Sequence, residues 1–172
     1  MDWHFPLLIT TLLFAAFLLW RMRPSFGSHA GGGASAAALR EAKLRIEGAK
    51  DEVTRAQALC DAGDACAESL GRTTGAVGYY LRAMRSDPTS ASIVERAATG
   101  LARRPHALES LLWRRLGAEP WTGAGRPAAA SALRHLAALY GGPLHNRPRS
   151  RALDHALAAI GEPTNGASAG PV

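Results

Sequence analysis

The side chains able to carry out chemistry in this chain of 172 residues are few and dispersed. Cys60 and Cys66 lie six positions apart, about 240° around a helix, so as helical residues they share neither a metal ion nor a disulfide. His106, His135, His145 and His155 have no acidic neighbours at ligand spacing. Asp51-Glu52 is an acidic pair on a charged helix face without a partner base. The run Gly31-Gly32-Gly33 follows no strand and reads as tether, not as a phosphate loop. Nucleophile-elbow, Walker, dinucleotide-binding and zinc-protease patterns are all missing from the sequence. The expectation is a protein that is not an enzyme and carries no cofactor or metal.

The elements that hold these residues are helical. Hydrophobic residues make up 47% of the chain but aromatics only 6%, so a core must be built from Ala and Leu. Two cysteines exclude a disulfide scaffold. The uneven spread of 18 Gly and 10 Pro excludes a collagen-like chain. A formal charge of +6 suits an anionic partner or surface without naming one. Arg103-Arg104, Arg114-Arg115 and Arg147/Arg149/Arg151 are the clusters that supply it. They read either as solvated charge or as a basic surface for anionic lipid or nucleic acid. Without interleaved aromatics or a base-reading motif, sequence-specific nucleic-acid binding is not expected.

The strongest single signal is the run from Trp3 to Trp20, which holds no charged residue apart from a neutral His4. About 18 residues at 1.5 Å rise span roughly 27 Å, the short end for a bilayer helix. Trp3 and Trp20 bracket it at headgroup level, and Arg21 and Arg23 follow directly, which places that flank on the cytoplasmic side. The expectation is an anchor over 1–23 in a single-pass inner membrane, with the remainder cytoplasmic. A cleaved leader ending near Ser28-His29-Ala30, giving a periplasmic or exported protein, is the alternative, and a buried core helix is a third.

Residues 24–35 read as a flexible Gly/Ser tether. Over 36–59, small or apolar residues recur at Leu39, Ala42, Ile46, Ala49, Val53, Ala56 and Cys60, in steps of three and four. This is an amphipathic helix capping its own domain, in preference to a dimeric coil, in which Arg45 would face a partner's Lys50. The oligomeric state stays open. Residues 162–172 hold too little apolar surface to order themselves.

Between 60 and 161 come Ala/Leu-rich stretches broken by Gly, Pro and Asp-Pro. Ala76, Tyr80, Ala83 and Pro88 stand at offsets 0, 4, 7 and 12. The small residues admit a neighbouring helix, the tyrosine fills the gap between helices, and the proline ends the turn. Leu133-x2-Leu136-Ala137-x2-Tyr140 keeps a large, large, small, aromatic order. Val94-x2-Ala97-Ala98-x2-Leu101 keeps the same spacing, as does Cys60-x2-Gly63-Asp64-x2-Ala67, and Cys60 and Val94 are 34 residues apart. These segments resemble the two helices of the tetratricopeptide repeat (TPR) over roughly 100 residues. Further second-helix counterparts are Ala107 with Leu111 and Pro120, then Ala152 with Ala156, Ala159 and Pro163. Arg114 replaces a small residue of the pattern. A generic helical bundle is the alternative.

The fold expected is therefore all-α, with one transmembrane helix followed by a small right-handed stack of antiparallel helical hairpins, degenerate and TPR-like. The resemblance implies a partner groove lined by first helices, which here falls on Asp61, Glu68, Glu95, Thr99 and Arg103. It implies a bacterial, membrane-anchored adaptor or scaffold that binds protein partners, in envelope complex assembly. A second layout analogy is to the anchored repeat proteins of c-type cytochrome maturation. The rival is a basic helical domain that holds anionic lipid or nucleic acid through charge alone.

Overall fold

The computed structural model describes residue 14 and residues 32–68, 72–118 and 121–161. The chain divides into two units, Met1–Gly32 and Gly33–Val172. In the first, the helical residue Phe14 and the boundary residue Gly32 are described. The expected anchor over 1–23, with Trp3, Trp20, Arg21 and Arg23, lies outside the described residues, as do most of the tether and the tail over 162–172. Among the described residues no helix is long and apolar enough to cross a membrane.

The second unit is all-α, with no strand among the described residues. Its helices are α1 (Gly32–Gly48), α2 (Glu52–Glu68), α3 (Thr73–Ser86), α4 (Ala91–Gly100), α5 (Pro105–Leu116), α6 (Arg126–Gly141) and α7 (Arg147–Gly161). A short 3-10 turn, Gly123–Gly125, precedes α6.

Two expected boundaries are corrected. The tether over 24–35 stops short of Gly32, because residues 32–35 already form the start of α1. Ser35 stands two turns before Ala42 on the same face, and both are buried. The single helix over 36–59 is in fact two, and the reason is local. Asp51 takes the N-cap position of α2. Its Oδ1 accepts from the Thr54 backbone N–H at 2.7 Å and its Oδ2 from the Thr54 hydroxyl at 2.7 Å. An N-cap aspartate satisfies orphan donors of the first turn and so starts a new helix where the periodicity alone would continue the old one. These hydrogen bonds hold the Asp51 carboxyl below its ordinary pKa. The boundary at Cys60 also falls inside α2, not at its start.

Consecutive helices α2 and α3 pair closely, as do α6 and α7, whereas α4 touches α5 only lightly and α5 packs more on α6. The α2–α3 pair is antiparallel: Gly75 lies beside Cys66, whereas Tyr80, further along α3, lies beside Gly63, earlier in α2. Between pairs, α2 packs on α4 and α4 on α6, while α3 packs on α5. Helices in alternate positions of the chain thus lie side by side. α1 lies against α2, where Arg45 reaches Asp61 at 2.7 Å. α7 closes the opposite end and, among the described elements, packs on α6 alone.

The core is built mainly from small residues and Leu, as an aromatic-poor chain requires. Val94, Leu101, Leu111, Leu112 and Leu136 are fully buried, as is Tyr80. Tyr80 is the wedge between three helices. Its ring fills the space that a Cβ on Gly63 of α2 would need, 2.7 Å from Cε1. Its hydroxyl occupies the corresponding space at Gly100 of α4. Glycine is required at both positions by this close approach and not by backbone conformation. The hydroxyl donates to Asp64. Burial, followed by that hydrogen bond and the Asp64 charge, pushes the phenol far above its ordinary pKa.

Arg115, grouped by sequence with the surface arginines, is corrected to a buried residue at 3% exposure. Its Nη1 donates to Ala118 O at 2.9 Å and its Nη2 to Pro88 O at 2.6 Å. The guanidinium thereby ties the end of α5 to the Asp87-Pro88 turn, and burial pushes its pKa down. The register of the last expected second helix is also corrected. Ala152 and Ala159 are exposed, while Leu153 is buried and Ala156, Leu157 and Ile160 are half-buried against the core. An Ala-rich helix offers several apolar stripes, and the one carrying the larger residues wins burial.

Candidate functional site

The exposed sides of α2 and α4 carry the residues expected to line a groove, and they divide into two groups. Asp61 on α2 is held in an ion-pair chain. It accepts from Arg45 of α1 at 2.7 Å and from Arg96 of α4, while Arg96 Nε also donates to Asp64 at 2.6 Å. Asp64 in turn accepts from Tyr80, so four helices meet in one polar chain. All the charged members are partly exposed, so screening limits what the pairs add to stability. What the chain does is fix the register of α1, α2 and α4. Asp61 is thus held by its ion pairs, on the edge of a depression between α1 and α2. Arg96 and Asp64 were missed by sequence reading. The available signal was their spacing, since Arg96 lies 32 residues after Asp64, close to one repeat.

Glu95 and Thr99 on α4, with Arg103 in the turn that follows, form the second group, and all three are exposed. Thr99 Oγ1 donates to the Glu95 carbonyl at 3.0 Å, the ordinary back-bond of a helical threonine. Beside them, α4 and α6 enclose a surface groove of about 410 Å³. Ala98, Ala102, Leu108 and Leu139 supply much of its apolar lining, and Thr99 and His135 are its polar edge. The neighbouring Glu95 charge acts on His135. Burial pushes the His135 imidazole below its ordinary pKa, Glu95 opposes that shift, and Arg134 reinforces it. Glu68 is exposed at the end of α2, and no recorded contact ties it to this groove. Of the five expected residues, Thr99 lines this groove and Glu95 lies one helical turn before it on α4.

Most of the residues that carry the repeat resemblance are buried. Ala76, Tyr80 and Ala83 are buried on α3, with Pro88 following its end. Leu133, Leu136, Ala137 and Tyr140 are buried on α6. Tyr140 donates to Glu109 and accepts from Trp113 Nε1 at 3.0 Å. Arg149 of α7 lies over its ring at 5.5 Å. In both the first and the last hairpin, a buried tyrosine hydroxyl thus answers a carboxylate on another helix. Cys60 and Cys66 are both buried and free. Burial pushes the Cys60 thiol up to about 11, out of the range of a reactive thiolate.

In comparisons with protein families, with curated proteins and with solved structures, the chain finds no match in any of the three.

Proposed function

We propose that the chain is a membrane-anchored, TPR-like adaptor that binds a protein partner along the α4–α6 groove. The single observation that carries this reading is the side-by-side arrangement of α2, α4 and α6, with a partly apolar groove left open between the last two. A concave depression of about 410 Å³ suits one or two apolar side chains of a partner, with specificity from a few polar groups at its rim. Thr99, His135 and the neighbouring Glu95 and Arg103 are those groups. The close pairing of α2 with α3 and of α6 with α7, and the burial of Ala76, Tyr80, Ala83, Leu133, Leu136, Ala137 and Tyr140, support the repeat reading. The uncharged run from Trp3 to Trp20, followed by Arg21 and Arg23, supports a single-pass anchor with the helical unit on the cytoplasmic side.

The test is crosslinking and affinity capture from membranes. Wild type is compared with Glu95→Ala/Arg103→Ala, which strips the rim, and with Ala138→Arg, which places a charge in the groove. A partner captured by wild type and lost in both variants supports the proposal. A partner retained by both removes the groove from consideration. Reporters fused to the C terminus, active only in the periplasm or only in the cytoplasm, test the orientation.

A further inference from the structure

Charge in this molecule is segregated along the chain. Residues 32–99 hold nine basic and nine acidic side chains, whereas residues 100–161 hold nine arginines against only Glu109, Glu119 and Asp154. The surplus of six equals the whole formal charge of the protein. The two halves also differ in what their cations do. Three of the nine cations of the first half, Arg45, Arg55 and Arg96, are ion-paired to carboxylates. In the second half, His106 lies 3.6 Å from Glu109. Arg103, Arg114, Arg147, Arg149 and Arg151 are exposed and take part in no ion pair among the described residues. Three of them occupy the first five positions of α7, whose first turn holds no acidic residue. That is the helix end at which the backbone dipole disfavours cations, so helix stability does not explain their placement.

Exposed tryptophan follows the same division. Trp113 on α5 is 45% exposed and Trp121, before the 3-10 turn, is 42% exposed. Each is fixed through its indole N–H, Trp113 to Tyr140 at 3.0 Å and Trp121 to Leu116 O at 2.7 Å, which leaves ring surface outward. Arginine with half-exposed, hydrogen-bonded tryptophan is the chemistry of the headgroup zone, where phosphate meets the first apolar carbons. The cations and the two indoles come from α5, α6, α7 and their connections. Such a distribution suits a broad anionic plane better than a single polyanionic strand, which needs a continuous groove with stacked bases.

We propose that the arginine-rich half of the domain, residues 100–161, rests against the anionic phospholipid headgroups of the membrane. This inference depends on the anchoring reading, because a tethered domain meets that surface at high effective concentration. Each basic residue near an anionic leaflet strengthens the contact roughly fivefold.

The experiment uses the full chain in nanodiscs made with brominated phospholipid, either zwitterionic alone or mixed with phosphatidylglycerol. The signal of Trp113 and Trp121 is obtained as the difference between the chain and its Trp113→Phe/Trp121→Phe form. Quenching of that difference signal is expected only with phosphatidylglycerol, and it fades between about 50 and 200 mM salt. Arg147→Gln/Arg151→Gln changes two exposed side chains and is expected to weaken the contact roughly 25-fold. Entry of the chain into nanodiscs without this quenching overturns the headgroup contact and leaves the anchor standing. Failure to enter the bilayer overturns the anchor and the tethered contact together. Equal quenching in zwitterionic discs overturns the role of charge. Tight binding of a labelled single-stranded oligonucleotide, abolished by the same two substitutions, would assign the surface to nucleic acid instead.

Discussion

Gly100→Ala is the sharpest probe of the tyrosine wedge. A Cβ at position 100 would overlap the Tyr80 hydroxyl and sit 3.2 Å from Cζ. The ring cannot retreat, because its other edge already fills the Cβ space of Gly63. Overpacking of this kind costs about 1–3 kcal/mol. Displacing the hydroxyl also removes a hydrogen bond to a carboxylate, about 1.5–3 kcal/mol. The helix preference of alanine over glycine returns at most about 1 kcal/mol, and less at the last residue of α4. A net loss of about 2–4 kcal/mol is expected. Tyr80→Phe alone loses the hydrogen bond, but Asp64 keeps Arg96, so its cost lies nearer about 1–2 kcal/mol. In the Tyr80→Phe background the hydroxyl overlap no longer exists, and Gly100→Ala should cost about 1 kcal/mol or less. The assay is urea unfolding of the full chain in mild detergent, followed by circular dichroism for all four proteins of the cycle. A coupling of about 1–3 kcal/mol is the expected result. Equal costs of Gly100→Ala in the two backgrounds would refute the wedge.

Three further outcomes follow from other buried polar groups. Ser131 Oγ is buried without a hydrogen-bond partner among the described residues, so Ser131→Ala should leave stability unchanged or raise it by about 1 kcal/mol in the same assay; a clear loss would mean the hydroxyl has a partner. Arg115→Lys should cost about 1–3 kcal/mol, because one ammonium cannot serve both Pro88 O and Ala118 O, and a neutral result would dismiss the guanidinium tie. His135 favours its neutral form in the folded protein, so the unfolded chain takes up the proton first as pH falls. Its contribution is fully present above the ordinary pKa of 6.5 and declines as pH drops below that value. His135→Gln should flatten this part of the stability–pH curve, and an unchanged slope would place the titration elsewhere.

The helical class and most element positions were legible because Ala76, Tyr80, Ala83 and Pro88 encode contacts at fixed helical offsets. The same was true of Leu133, Leu136, Ala137 and Tyr140. The break at Asp51 was obscured because apolar periodicity runs straight through Ala49 and Val53, and only the short-range bond of Asp51 to Thr54 interrupts it. Arg115 could not be told from Arg114 by composition, since its burial depends on two carbonyls supplied by turns. Of the residues lining the candidate groove, Thr99 is the one that the repeat resemblance names. His135 and the apolar lining came from the junction with α6, and its closeness to α4 is a tertiary fact. Tyr80 was legible as a gap-filler, but the two glycines it requires were not, because a glycine in a helix has no pattern that says what approaches it.

Because α7 leans on α6 alone among the described elements, it can detach without disturbing the wedge that joins α2, α3 and α4. Regions with a single packing neighbour open at a lower free energy than the global transition. The amides of 147–161 should therefore exchange with solvent deuterium well before those of α2 and α3, and a protease should trim this end first. A last helix of this kind behaves as a detachable cover, whose release would bare the α6 surface now occupied by Ser150 and Leu153.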